Sequence, residues 1–293
     1  MKIAIVDTQG PNFIGAQYRA LLPGVRISGF EPRAVRGTPC HAHGALCGWL
    51  AAAPVVAAGR DLELVFVRCF DQQAGWIKDA DAWILDRIEE IRPDYVSRSW
   101  GAWDGDDPLQ RQMAYLSFAQ FAKDYAPMIA PGGITDFGAA GNEDANDSDT
   151  DIAFPQAVLP RCNIIGAHDR AGRPCKWSGD GANVSCCMWA DRVWSPNAAG
   201  EWVLWRGTSA ATPKACGAAA ADGLLTEEWR LLAIDHAQRP RGYAAAELPH
   251  PKWGYGSMEW AWQEPMKKLP ANLRPPAPTV KGRISLFDYE VKR

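Results

Sequence analysis

Short apolar runs alternate along this chain with stretches of helical periodicity. The runs are Ile3–Val6, Leu62–Val67, Tyr95–Ser99, Ile134–Ala140, Cys162–Ala167 and Val184–Met188. Their length and apolar character suit strands buried on both faces. Between them, Ile84, Ile88 and Ile91 recur at helical spacing within Asp81–Ile91. Pro108 opens another helical stretch with Leu109, Met113 and Leu116 on one stripe, and an Ala-rich stretch runs from Thr208 to about Leu225. Strands alternating with helices in this way predict an α/β fold, a mostly parallel central sheet with helices on both faces.

A chain of 293 residues buries enough surface to fold without a disulfide or metal. Its eight cysteines read as reduced, core-type residues rather than a disulfide framework. A net charge of −3 carries no polyanion-binding signature, so nucleic acid is not expected as a partner. No apolar run reaches the roughly 18 residues that a membrane span needs. Lys2 to Val6 read as a strand rather than a cleavable leader, which favours a cytoplasmic location and leaves a secreted mature form open. Composition shifts near Glu264. Residues 1–264 are expected to form one domain and the proline-rich residues 265–293 a C-terminal extension.

Three segments carry chemistry, each at an element end, where parallel sheets place their ligands. Asp7 closes the first strand in Ile5-Val6-Asp7-Thr8-Gln9-Gly10. His43 opens a helix in His43-Gly44-Ala45-Leu46-Cys47-Gly48. Ser209 starts the Ala-rich helix in Gly207-Thr208-Ser209-Ala210-Ala211-Thr212-Pro213. A serine hydroxyl becomes a nucleophile only when a base takes its proton. An imidazole can take that proton and return it to a leaving amine, while a buried carboxylate fixes the ring's tautomer. Taken singly, each residue also has a structural reading: a strand-end cap, a helix-start histidine and a serine N-cap.

Taken together, the segments resemble the subtilisin-like serine proteases, whose catalytic order is Asp, His, Ser. Asp7-Thr8-Gln9-Gly10 resembles Asp-Thr-Gly with Gln9 inserted. His43-Gly44 with Gly48 resembles the histidine motif, although Ala45 and Leu46 replace its Thr and second His. Gly207-Thr208-Ser209 with Pro213 resembles the serine motif, with Ala210 in place of Met. Ser99-Trp100-Gly101 is similar to the family's substrate-pairing segment. Ala139-Ala140-Gly141-Asn142 matches its oxyanion segment. The resemblance spans roughly residues 1 to 262 and implies a subtilisin fold with about seven parallel strands. It implies a triad of Asp7, His43 and Ser209, an oxyanion donor in Asn142, a polypeptide substrate and no required cofactor. Ser99, Trp100, Gly101, Ala140, Gly141 and Glu143 would line the substrate. The same fold could also hold a peptide without cutting it, and oligomeric state is not legible.

Several residues depart from the pattern or invite other readings. His41 stands two positions before His43 and competes for the base role; Gly44 and Gly48 favour His43. Asp136 falls within a strand and needs a partner if buried. Ala190-Asp191-Arg192 replaces the family's Ala-Pro-Gly turn. The acidic stretch from Glu143 to Asp151 could bind Ca²⁺, although a solvated loop explains it as well. Glu143 at the rim of the primary pocket would favour Lys or Arg before the scissile bond. Cys40, His41, His43 and Cys47 have zinc-donor types, but a zinc on His43 would remove the base, so no metal is expected there. Trp100 and Trp103 follow the substrate segment and could wall a pocket.

Overall fold

A computed structural model describes residues 1–71, 76–77, 79–101, 108–142, 152–239 and 248–276. Among them, the elements follow in the order β1 (Lys2–Asp7), α1 (Ala16–Ala20), β2 (Arg26–Phe30), α2 (His43–Ala57), β3 (Glu63–Arg68), α3 (Ala80–Ile91), β4 (Tyr95–Arg98), α4 (Pro108–Tyr125), β5 (Thr135–Ala139), β6 (Asn163–His168), β7 (Val184–Trp189), β8 (Val193–Pro196), β9 (Trp202–Trp205), α5 (Thr208–Asp222), α6 (Thr226–His236) and α7 (Glu259–Met266). Seven strands form one sheet in the order β2-β3-β1-β4-β5-β6-β7, with every pairing parallel. β8 and β9 make a separate antiparallel hairpin.

Strand periodicity sends alternate residues to opposite layers. Ile3 and Ile5, with Leu64 and Phe66, face the layer that holds α2, α5, α6 and α7. Ala4 and Val6, with Val65 and Val67, face the layer of α3 and α4. α2 has no polar face, and it is buried from His43 to Val55. Burying a side chain the size of Leu46, Leu50 or Val55 contributes about 1.5–3 kcal/mol each. α5 is buried from Thr208 to Ala221, and its small residues let α2 come close.

The strand order also locates the site. β1 lies between β3 and β4, with β2 and β3 on one side of it and β4 to β7 on the other. At such a switch point the carboxyl ends of the strands leave a crevice. Asp7 ends β1, and Ser99 follows the end of β4.

Asp136 has the partners its burial demands. Arg98 Nε and Nη2 donate to its two carboxylate oxygens at 3.0 and 2.5 Å, and the Tyr125 hydroxyl donates at 3.0 Å. The stripe expected to pack on α4 points outward, since Leu109, Met113 and Leu116 are each at least 60% exposed. Phe121, Ala122 and Tyr125, nearer its C-terminus, hold that helix to the core. Arg192 adopts φ 60° in the turn where the resemblance has glycine. The packed chain continues past Glu264, with Met266, Leu269 and Leu273 in the core. All eight cysteines are free thiols and seven are buried. No helix among the described residues is long and apolar enough to cross a membrane.

Burial favours the neutral form of His168, lowering its pKa from an ordinary 6.5. Its Nδ1 pairs with the Asp169 carbonyl at 2.7 Å, and its Nε2 with the Ser257 hydroxyl at 2.7 Å. His41 and His250 are lowered by burial as well. The unfolded chain therefore takes up these protons first as pH falls below about 6.5. Stability is expected to drop from there through the folded values and to be flat above neutrality. Thermal melts from pH 8 to pH 5 test this; an unchanged midpoint across that range would refute it.

Candidate active site

Asp7, His43 and Ser209 come from β1, α2 and α5, and the helices that carry His43 and Ser209 are linked by Cys47, whose thiol meets the Ser209 carbonyl at 3.4 Å. His43 Nδ1 lies 2.8 Å from Asp7 Oδ1, both side chains being almost fully buried. The same carboxylate oxygen accepts the Thr8 backbone N–H at 2.7 Å. Gly44 makes this approach feasible, because a Cβ there would sit 2.6 Å from Gln9 Cβ. Thr8 Oγ1 ties the two segments, donating to the His41 carbonyl at 2.8 Å and accepting the Gly44 N–H at 3.1 Å. His41 serves a different end: its Nδ1 accepts the His43 backbone N–H at 3.2 Å, as a cap would.

Ser209 sits in the first turn of α5, where unpaired N–H groups and the helix dipole favour negative charge. Its hydroxyl donates to the Ser99 carbonyl at 2.9 Å, and the Ser99 hydroxyl returns a bond to the Ser209 carbonyl at 3.2 Å. The nucleophile candidate and the expected substrate segment are thus directly joined. Asn142 Oδ1 accepts the Thr208 N–H at 2.7 Å and the Thr208 hydroxyl at 3.0 Å. Holding that oxygen leaves the Asn142 amide as the donating end beside the start of α5. Gly141 is linked to Thr208 at 3.1 Å through its carbonyl, and Ala140 is fully buried beneath it.

Trp100 packs on Trp76 and Phe70 at ring centroid distances of 4.5 and 6.1 Å, and Gln156 donates to its carbonyl. Gly101 is exposed at the end of this segment. Glu143, the acidic stretch through Asp151, and Trp103 lie outside the described residues.

The zinc-like donors resolve differently. Asp7, His43 and Cys47 each place a donor atom within 4.8 Å of the others. Cys47 Sγ stands 3.9 Å from His43 Nδ1, the nitrogen already paired with Asp7. A metal would have to displace that pairing. Burial also pushes the Cys47 thiol pKa up. Cys47 instead donates to the Ser209 carbonyl at 3.4 Å.

Three supporting residues escaped the sequence reading. Trp205 sets its edge against the His43 ring, with centroids 5.5 Å apart. Thr8 and Arg68 brace the His43 segment from β1 and β3. Thr8 adjoins Asp7, and Trp205 lies just before Gly207, so adjacency to the motifs was the available signal. Arg68 had none, being a lone charge at the end of an apolar run.

A profile of the subtilase family matches residues 35–222. Among solved structures, the chain is similar to a lanthipeptide protease at 15% identity and a TM-score of 0.67, over 91% of this chain and 88% of that one. It is similar to the prenylagaramide maturation protease PagA at 14% identity and a TM-score of 0.62, over 92% and 94%. A cold-adapted subtilisin-like serine proteinase follows at 17% identity and a TM-score of 0.61, over 88% of both chains. No curated protein matches the sequence significantly.

Proposed function

The chain belongs to the subtilase family, and from that premise we propose that it is a serine endopeptidase acting through an acyl-enzyme. Ser209 Oγ attacks the scissile carbonyl carbon while His43 Nε2 takes its proton. The C–N bond then breaks, and His43 gives that proton to the leaving amine. Water attacks the resulting ester by the same route in reverse and frees Ser209. Asp7 holds His43 with Nδ1 protonated and stabilises the imidazolium. Asn142 and the Ser209 N–H receive the oxyanion. The substrate runs along Ser99, Trp100 and Gly101 on one side, with Ala140 and Gly141 on the other. The reaction needs no cofactor.

The observation that carries this reading is the buried Asp7–His43 bond at 2.8 Å, facing a helix that begins at Thr208-Ser209. Two of the structural neighbours are named a lanthipeptide protease and a prenylagaramide maturation protease. A discrete peptide is therefore the first substrate class to compare with an unfolded protein. Labelling with a serine-directed fluorophosphonate, mapped by mass spectrometry, tests the proposal. The label is expected on Ser209 and is expected to vanish in Ser209→Ala and His43→Ala. A folded sample that takes no label would overturn the reading in favour of a binding protein.

Asn142→Ala is expected to lower kcat by about 10²–10³, a magnitude taken from the equivalent donor of subtilisin itself. KM is expected to stay near its original value, since the bond forms in the transition state. A loss confined to KM would remove Asn142 from the oxyanion role.

A further inference from the structure

The segment that delivers His43 to the site has almost no packing of its own. No residue from 36 to 42 is buried. A loop so placed would ordinarily sample many conformations, because little apolar burial offsets its backbone entropy. Yet His43 must meet Asp7 within a few tenths of an ångström for the pair to work.

Thr8 ties its end at His41, and the rest of the segment is held by a fully buried guanidinium. Arg68 ends β3 and stands in register with Asp7 on the neighbouring strand. Its Nη1 donates to the carbonyls of Val35 at 3.1 Å and Thr38 at 2.9 Å. Its Nη2 donates to the Thr38 hydroxyl at 3.2 Å and the Pro39 carbonyl at 2.9 Å. Its Nε turns back to the Phe70 carbonyl at 3.0 Å. Glu31, buried after β2, supplies the counter-charge at 3.7 Å. Asn12 donates to that carboxylate at 3.1 Å. Gly10 presses against the same group, since a Cβ there would fall 1.6 Å from Glu31 Oε1. The carboxyl ends of β1, β2 and β3 thus meet around one cation. Only a planar fork with five donors can satisfy so many carbonyls at once.

We propose that Arg68 is a positioning residue: it fixes the 35–39 segment, and through it the placement of His43 over Asp7, while bracing Phe70 of the aromatic wall beside Trp100. The role rests on the proposed peptidase reading for its kinetic consequence and on geometry alone for its structural one.

The test combines Arg68→Ala with added guanidinium ion, which fits the space the side chain leaves. Amide exchange is expected to accelerate across residues 35–43 and to stay unchanged in α5 and in β4 to β6. In the same variant kcat is expected to fall about 10²-fold, with KM changed less than about threefold. Millimolar guanidinium is expected to restore loop protection and about tenfold of the lost kcat. It is expected to leave the wild type and Arg68→Lys unaffected, because the lysine stem fills the space without supplying the fork. Unchanged exchange at 35–43 would overturn the proposal, as would a kcat loss that guanidinium does not recover. If Arg68→Ala does not fold, Arg68→Lys keeps the charge and loses the fork; faster exchange confined to 35–43 supports the role, and unchanged exchange there refutes it. The exchange measurement needs no activity. A wild-type protein that takes no label on Ser209 therefore sinks the peptidase reading and still leaves the anchoring role decided.

Discussion

Ser209→Ala, His43→Ala and the double variant are expected to hydrolyse a peptide substrate equally slowly, each about 10⁶-fold below the wild type. That magnitude is measured for subtilisin, and here it is a transfer between relatives. The equality is the informative part. In the proposed mechanism Ser209 and His43 act on one proton in one step, so removing either removes the step. Asp7→Ala is expected to cost about a hundredfold less, because it disturbs the tautomer of His43 without deleting base or nucleophile. Steady-state kinetics on purified variants, each freed of wild-type contamination, decides the matter. Two single losses that multiply in the double variant would show independent roles and would dismantle the triad.

Glu259→Gln is expected to destabilise the fold by about 3–5 kcal/mol, since it leaves a buried ammonium without its counter-charge. Lys214 lies on α5 beyond Ser209 and is fully buried. Its Nζ donates to Glu259 Oε1 and Oε2 at 2.5 and 2.6 Å and to the Trp189 carbonyl at 2.9 Å. The rings of Trp262 and Trp189 lie 4.5 and 5.2 Å from it. Burial pushes the Lys214 pKa down, and only the Glu259 carboxylate opposes that. Glutamine keeps the acceptor for the Trp189 N–H but loses the charge. Adding Lys214→Met should return most of the stability, because the stranded charge is then gone and the stem is replaced by similar volume. Urea unfolding of the single and double variants measures both. A single variant within about 1 kcal/mol of wild type would mean that the pair is already neutral in the fold.

The sheet was legible wherever a strand is buried on both faces. β1 and β3 to β7 each carry an apolar run, and each appears within a residue or two of its expected place. β2 was missed because Arg26-Ile27-Ser28-Gly29-Phe30 is a partly exposed edge with no such run. β8 and β9 were missed because Pro196 and three tryptophans mask their alternation. The α4 stripe misled for the opposite reason: helical spacing reports which residues share a face, and Leu109, Met113 and Leu116 share one that points to solvent. Asp7, His43, Ser209 and Asn142 stand out as candidates because short motifs surround them. The residues that hold them in place act across elements, as Arg68 does from β3 to the 35–39 segment, and no local pattern encodes such a reach.

The placement of α7 sets the order in which this molecule can come into being. Trp262 donates its indole N–H to the Leu50 carbonyl within α2, and Glu259 pairs with Lys214 on α5. Both helices that carry candidate site residues therefore wait on a piece of chain synthesised after them. A ribosome exposes Asp7, His43 and Ser209 well before it exposes Glu259 to Leu273. During that interval the nascent chain holds an unpaired lysine where its nucleophile helix must be buried. Assembly of the candidate site thereby depends on contacts from Glu259 and Trp262, which follow α5 in the chain.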